Sequence, residues 1–195
     1  AEVYGVPKRI PIAEKHAIQP ISPYGESRVE QEKLALEYYE KESQFIVISR
    51  SFNHIGPGQP ENFVCSNFAK QVAVDEKGKA SEIRVGNLGI KRDFTDVRDM
   101  VRAYLLALQK GKAGEVYNVC SNEGYSIKSV LETLLSFSPK VRSAQIVKDR
   151  SRFRKSDVPV LIGDNSKFRA ATGWQPLIPF SQTLHDILNF WRQRV

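Results

Sequence analysis

Residues 45–58 read Phe45-Ile46-Val47-Ile48-Ser49-Arg50-Ser51-Phe52-Asn53-His54-Ile55-Gly56-Pro57-Gly58. The opening run Phe45 to Ile48 is apolar without a break and largely β-branched. A strand covered on both faces of a parallel sheet has no reason to alternate polar and apolar residues, so this run predicts such a strand. The residues after it, Asn53 to Gly58, read as a glycine-proline loop. Just upstream, Ser22-Pro23 opens a long helix: serine offers a capping oxygen, and proline at the first turn has no N–H to leave unpaired. Val29, Leu34, Leu36 and Tyr38 supply its apolar positions.

Outward from there, residues 1–22 hold Pro7, Pro11 and Pro20 and read as an irregular loop. Downstream, a helix is expected from about Phe63 to Val74, then short strands at Glu82–Val85 and Lys91–Thr95. Asp96 is placed to cap a helix that runs through Met100, Tyr104 and Leu108 to a stop at Gly111. A strand at Glu115–Val119 follows, then a helix capped by Ser126 and a strand at Ala144–Val147. A small helix after Asp164 and an amphipathic helix from Ser181 to Arg194 complete the chain. The alternation predicts an α/β fold with a parallel sheet and a smaller mixed lobe towards the C-terminus.

The 195 residues include 41% hydrophobic and 26% charged ones, ordinary for a globular protein, and carry a net charge of +7. The excess favours anionic partners, but Lys8/Arg9, Lys91/Arg92 and Arg150 to Lys155 are its only tight groups, and a dispersed excess reads as solvated surface. No aromatic-basic interleaving suggests nucleic acid, no apolar run suggests a membrane span, and no spacing suggests a metal. Cys65 and Cys120 lie far apart in apolar contexts, as free core thiols of a cytoplasmic protein would. Ala1 opens without an initiator methionine, so the chain reads as a fragment.

One pattern could carry chemistry. In Tyr24-Gly25-Glu26-Ser27-Arg28 the tyrosine and the cation lie four apart at a helix start, on one face and one turn apart. A fixed positive charge near a phenol stabilises the phenolate and suits the group to general acid/base work. The same spacing also arises by chance, as a tyrosine packed on a neighbouring arginine.

The order of the surrounding segments adds to this. Ala1-Glu2-Val3-Tyr4-Gly5 precedes the tyrosine, and Ser51 to Gly58 follows the apolar strand. Val85-Gly86-Asn87, Lys91 to Asp99, Tyr117-Asn118-Val119, Gly163 to Lys167 and Gly173-Trp174-Gln175-Pro176 continue the series. Across essentially its whole length the chain resembles the extended short-chain dehydrogenase/reductase family. Its wording is most similar to the branch that reduces GDP-6-deoxy-4-keto-mannose to GDP-rhamnose, with GDP-mannose 4,6-dehydratases as near relatives.

The resemblance implies the C-terminal part of a Rossmann-like doubly wound parallel sheet and a nucleotide-sugar lobe. Residues 1–60, joined by part of 90–120, would belong to the NAD(P)-binding side, and 61–195 mostly to the lobe. Tyr24 would protonate the substrate oxygen. Arg28, where the family normally has lysine, would hold the nicotinamide ribose; its planar fork is no simple replacement for a compact ammonium. Glu2 stands where dehydratases keep the base for the sugar C5 proton. Phe52, Asn53, His54 and Ile55 would flank the nicotinamide of NADP or NAD, with Asn53 also reaching the substrate. Val85 and Asn87 would lie against the base of a GDP-sugar.

Arg92, Arg154 and Asp157 would complete the substrate site, the two guanidinium groups gripping the diphosphate. Lys155 replaces the proline of the family's Arg-Pro-x-Asp pattern.

The family's Gly-x-x-Gly-x-x-Gly turn is absent from these residues, and its catalytic serine or threonine would stand just before Ala1, so an inactive piece of a homodimeric reductase is expected. A 4,6-dehydratase, a 4-epimerase and a non-catalytic nucleotide-sugar-binding module are the other readings. The first two differ from the reductase in recycling their cofactor, the third in binding no NAD(P)H.

Overall fold

The structure is a computed structural model and describes residues 1–79, 81–141, 144–153 and 158–195. Its helices are α1 (Pro23–Glu42), α2 (Val64–Glu76), α3 (Val97–Lys110), α4 (Ile127–Ser136), α5 (Ser166–Thr172) and α6 (Phe180–Arg192). Its strands are β1 (Ile48–Ser51), β2 (Asn53–Ile55), β3 (Glu82–Val85), β4 (Lys91–Asp96), β5 (Val116–Val119), β6 (Gly124–Ser126), β7 (Gln145–Lys148) and β8 (Val160–Leu161). β1 pairs in parallel with β5, Ile48 opposite Val116, and β3 pairs in parallel with β7, Glu82 opposite Gln145. A further sheet is ordered β2-β4-β6, with β8 beside β4.

The chain divides into two compact units. The first comprises Ala1–His54, Arg92–Gly124 and Val160–Leu177. Its core is built where α3 and α5 meet β5: Met100, Ala103, Ala107, Tyr117, Val119, Phe168 and Trp174 are all buried. The Trp174 indole satisfies its one donor on the Asp99 carbonyl at 3.0 Å, as a fully buried tryptophan requires. Asp96 caps α3 as expected, accepting from the Arg98 backbone N–H at 2.8 Å.

The second unit comprises Ile55–Lys91, Tyr125–Pro159 and Ile178–Val195. Here α2, α4 and α6 bury Phe68, Ala69 and Val72, Val130, Leu131 and Leu134, and Leu184, Ile187 and Leu188. Glu76 of α2 receives Arg192 of α6 and the Ser138 hydroxyl at 2.5–2.8 Å, and these donors hold its carboxyl below the usual range. Gln71 accepts from the Arg84 N–H and donates to the Arg84 carbonyl, closing the edge of β3 that β7 leaves open.

Three expectations change. The apolar run at 45–48 is not a strand covered on both faces: pairing begins at Ile48 and runs through Ser51, and Phe45, ahead of the first paired residue, is exposed. Asn53 to Ile55 form β2 rather than a loop. The cationic excess is not dispersed either, because unit 1 contains fourteen Lys and Arg against fourteen Asp and Glu, and unit 2 fifteen against eight. The whole net charge of +7 is therefore carried by unit 2.

Candidate active site

Tyr24 sits in the first turn of α1. Ser22 caps that turn, its hydroxyl accepting from the Gly25 N–H at 3.1 Å. Gly25 is required here: a Cβ would come 2.8 Å from the Glu2 carbonyl and 2.9 Å from Pro20. The helix start therefore packs directly on the short 3₁₀ turn Glu2–Tyr4, which brings the Glu2 and Tyr24 segments together. Tyr24 is 56% exposed, and among the described residues its hydroxyl has no hydrogen bond. The Arg28 guanidinium lies 4.8 Å from the centroid of the Tyr24 ring and donates to Gln31 at 2.7 Å. The cation thus stacks on the face of the phenol and leaves the hydroxyl open to a ligand.

Asn53 and His54 are exposed on β2, and the His54 ring lies 3.4 Å from the Phe52 carbonyl. Phe52 is 2% exposed and Ile55 also belongs to the core, so a cofactor can meet only their backbone. The same holds for Val85, whose side chain is fully buried on β3. Asn87 is half-buried and turns back to accept from the Gly89 N–H at 3.0 Å. Next to it a Cβ on Gly86 would stand 2.9 Å from the Arg152 carbonyl, so the 85–87 turn lies tight against the 150–152 segment. Arg92 is half-buried at the start of β4. Arg154 and Asp157 lie outside the described residues.

Sequence reading missed a buried polar network in unit 1. Arg50 of β1 donates to both carboxylate oxygens of Glu32 on α1 at 2.8–3.1 Å, and these side chains are only 10% and 16% exposed. Its Nη1 also donates to the Tyr4 hydroxyl at 3.0 Å and the Glu14 carbonyl at 3.1 Å. Tyr4 in turn donates to Asn118 Oδ1 at 2.7 Å. Burial holds the Tyr4 hydroxyl above its ordinary range despite Arg50. For Arg50 burial works against the charge, but Glu32 and Tyr4 outweigh it and raise the pKa. The one signal available was Arg50 itself, a cation two residues after an apolar run.

The family profile described as GDP-mannose 4,6 dehydratase matches residues 1–187. The chain belongs to that family. It is 36% identical over 197 residues to a GDP-6-deoxy-D-mannose reductase of Pseudomonas aeruginosa, covering 100% of this chain and 64% of the relative. A UDP-glucose 4-epimerase of Lactobacillus helveticus is 29% identical over 192 residues, which cover 90% of this chain and 57% of the relative. The solved structure of RMD from Pseudomonas aeruginosa, complexed with NADPH, superposes with a TM-score of 0.92 at 36% identity, covering 100% of this chain and 65% of that one. The chain thus spans less than two thirds of the length of these relatives. Its mixed α/β architecture with parallel strand pairs is the Rossmann-like fold of this neighbour. No described helix is long and apolar enough to cross a membrane.

Proposed function

We propose that these residues belong to an NAD(P)H-dependent reductase of the C4 ketone of a GDP-4-keto-6-deoxy-hexose, forming GDP-rhamnose. The observation that carries the reading is Tyr24: an exposed phenol at a capped helix start, its ring under Arg28 and its hydroxyl without a partner among the described residues. The identity to a GDP-6-deoxy-D-mannose reductase supports the choice of substrate.

A reduced nicotinamide dinucleotide, NADPH or NADH, supplies the hydride when bound. Tyr24 donates its hydroxyl proton to the ketone oxygen, so that the carbonyl becomes an alcohol as hydride arrives at carbon. Arg28 holds the cofactor ribose, and Asn53, His54 and the backbone of Phe52 and Ile55 flank its ring. Arg92 and Arg154 bind the diphosphate as bidentate donors, Asp157 is also assigned to the substrate, and Val85 and Asn87 meet the guanine. The protein acts in the cytoplasm as a homodimer.

Replacing Tyr24 by phenylalanine in the full-length protein is expected to lower turnover by about 10²-fold or more, while binding of GDP-mannose stays near normal. Turnover retained in that variant overturns the assignment. A second reading is a 4,6-dehydratase, in which Glu2, whose turn packs on the Tyr24 helix start, would be the base for the sugar C5 proton; an acid at this position is shared with reductases and epimerases and does not itself decide. Product analysis separates the two, since a reductase consumes NADPH stoichiometrically and a dehydratase shows no net change.

A further inference from the structure

We propose that Arg50 is a positioning residue that sets the geometry between the Tyr24 helix and the Glu2 turn, an inference that rests on the functional reading above. Tyr24, Arg28 and Glu32 follow one another at intervals of four along α1, so they form one stripe of the helix, each a turn apart. The lower end of that stripe is the carboxylate that Arg50 grips with Nε and Nη2. A fork on two oxygens fixes rotation as well as distance, which a single contact does not. The clasp therefore sets the roll of α1 about its axis and, two turns away, the direction in which Tyr24 projects.

The other end of the same guanidinium holds the second element. Nη1 donates to the Tyr4 hydroxyl, and Tyr4 is the last residue of the 3₁₀ turn that begins with Glu2. Tyr4 is itself fixed on Asn118 of β5, the strand that pairs with β1. A second Nη1 bond to the Glu14 carbonyl ties down the intervening loop, and Glu14 accepts from the Asn118 N–H at 2.8 Å. One buried cation thus joins β1, α1, the Glu2–Tyr4 turn and the 5–22 loop. It touches neither Tyr24 nor Glu2, so its effect on chemistry passes through placement alone.

The test uses the full-length protein with a GDP-4-keto-6-deoxymannose and NADPH. Arg50→Lys keeps the charge and removes the fork, and Glu32→Gln weakens the same clasp from the helix side. Both are expected to lower kcat about 10–100-fold per molecule able to bind GDP-mannose. The KM for the nucleotide sugar should stay within about threefold, because neither variant removes a group assigned to the diphosphate or base. Tyr4→Phe, which loses only one arm, should fall between these variants and wild type. Amide exchange over residues 22–30 and 2–5 should quicken in the same order.

A purely structural role would lower the fraction of binding-competent protein and leave kcat per competent molecule unchanged, and that result overturns the proposal. Should Arg50→Lys fail to fold, Glu32→Gln and Tyr4→Phe decide alone. If the wild-type protein has no reductase turnover, the functional reading fails. The exchange rates then decide whether Arg50 couples the two segments, and unchanged rates sink that too.

Discussion

At the scale of single residues, Asp93 shows how burial and hydrogen bonding oppose each other. Its side chain is fully buried on β4 and accepts from the Ser121 N–H and hydroxyl at 2.7 Å, the Asn122 N–H at 3.1 Å and the Gly163 N–H at 3.2 Å. Loss of water pushes the carboxyl up to about 6, and these donors offset that only in part. A carboxyl raised in the folded state contributes stability that is fully present below its unfolded value, near 3.8, and lost as pH rises through about 6. Asp93→Asn has no such titration, so the unfolding free-energy difference between wild type and variant should shrink between pH 4 and pH 7. Urea unfolding at the two pH values measures it, and a constant difference would show that Asp93 titrates in the folded protein as it does in the unfolded chain. The capped helix start at Tyr24 and the cation stacked on its ring were legible in the sequence, because a helix cap and a residue four positions on are local signals. Asp93 was not, because its donors come from 28 to 70 residues away.

Among the elements, α3 carries two apolar stripes where a helix packed on one side needs one. Met100, Ala103 and Ala107 face the core, whereas Val101, Leu105 and Leu108, spaced four and three apart, are exposed on another side. Leu34 and Tyr38 of α1 are exposed as well. Exposed apolar stripes on long helices are the usual material of a homodimer interface, and they support the proposed dimer. Leu108→Arg, at a residue 66% exposed, should therefore leave thermal stability of a monomer nearly unchanged and shift the full-length protein from dimer to monomer in light scattering. A dimer that survives the substitution would place the interface elsewhere. The same helices mark how far sequence reading reached. Asp96 and Ser126 were recognisable as caps because a cap is a local hydrogen bond, and both make it. Strands β2, β6 and β8, of three, three and two residues, are too short to show any period, so they were not foreseen.

For the molecule as a whole, net charge alone read as solvated surface, since only chain folding shows which cations belong together. Once the chain is divided, unit 1 is neutral and unit 2 holds the excess, seven charges in a unit that also carries Val85 and Asn87. A potential of one sign over the part assigned to an anionic nucleotide raises the rate of encounter more than it strengthens the complex. Lys148 and Arg150 are exposed on this unit and are assigned no contact with the nucleotide, so they isolate that long-range effect. Reversing both to glutamate should slow GDP-mannose association about tenfold at low salt and leave the dissociation rate nearly unchanged. At about 0.5 M salt the Debye length falls to a few ångströms, and the difference from wild type should vanish. Stopped-flow binding at the two ionic strengths checks both halves of the prediction. An effect on dissociation that persists in high salt would instead mean that these two side chains touch the bound nucleotide.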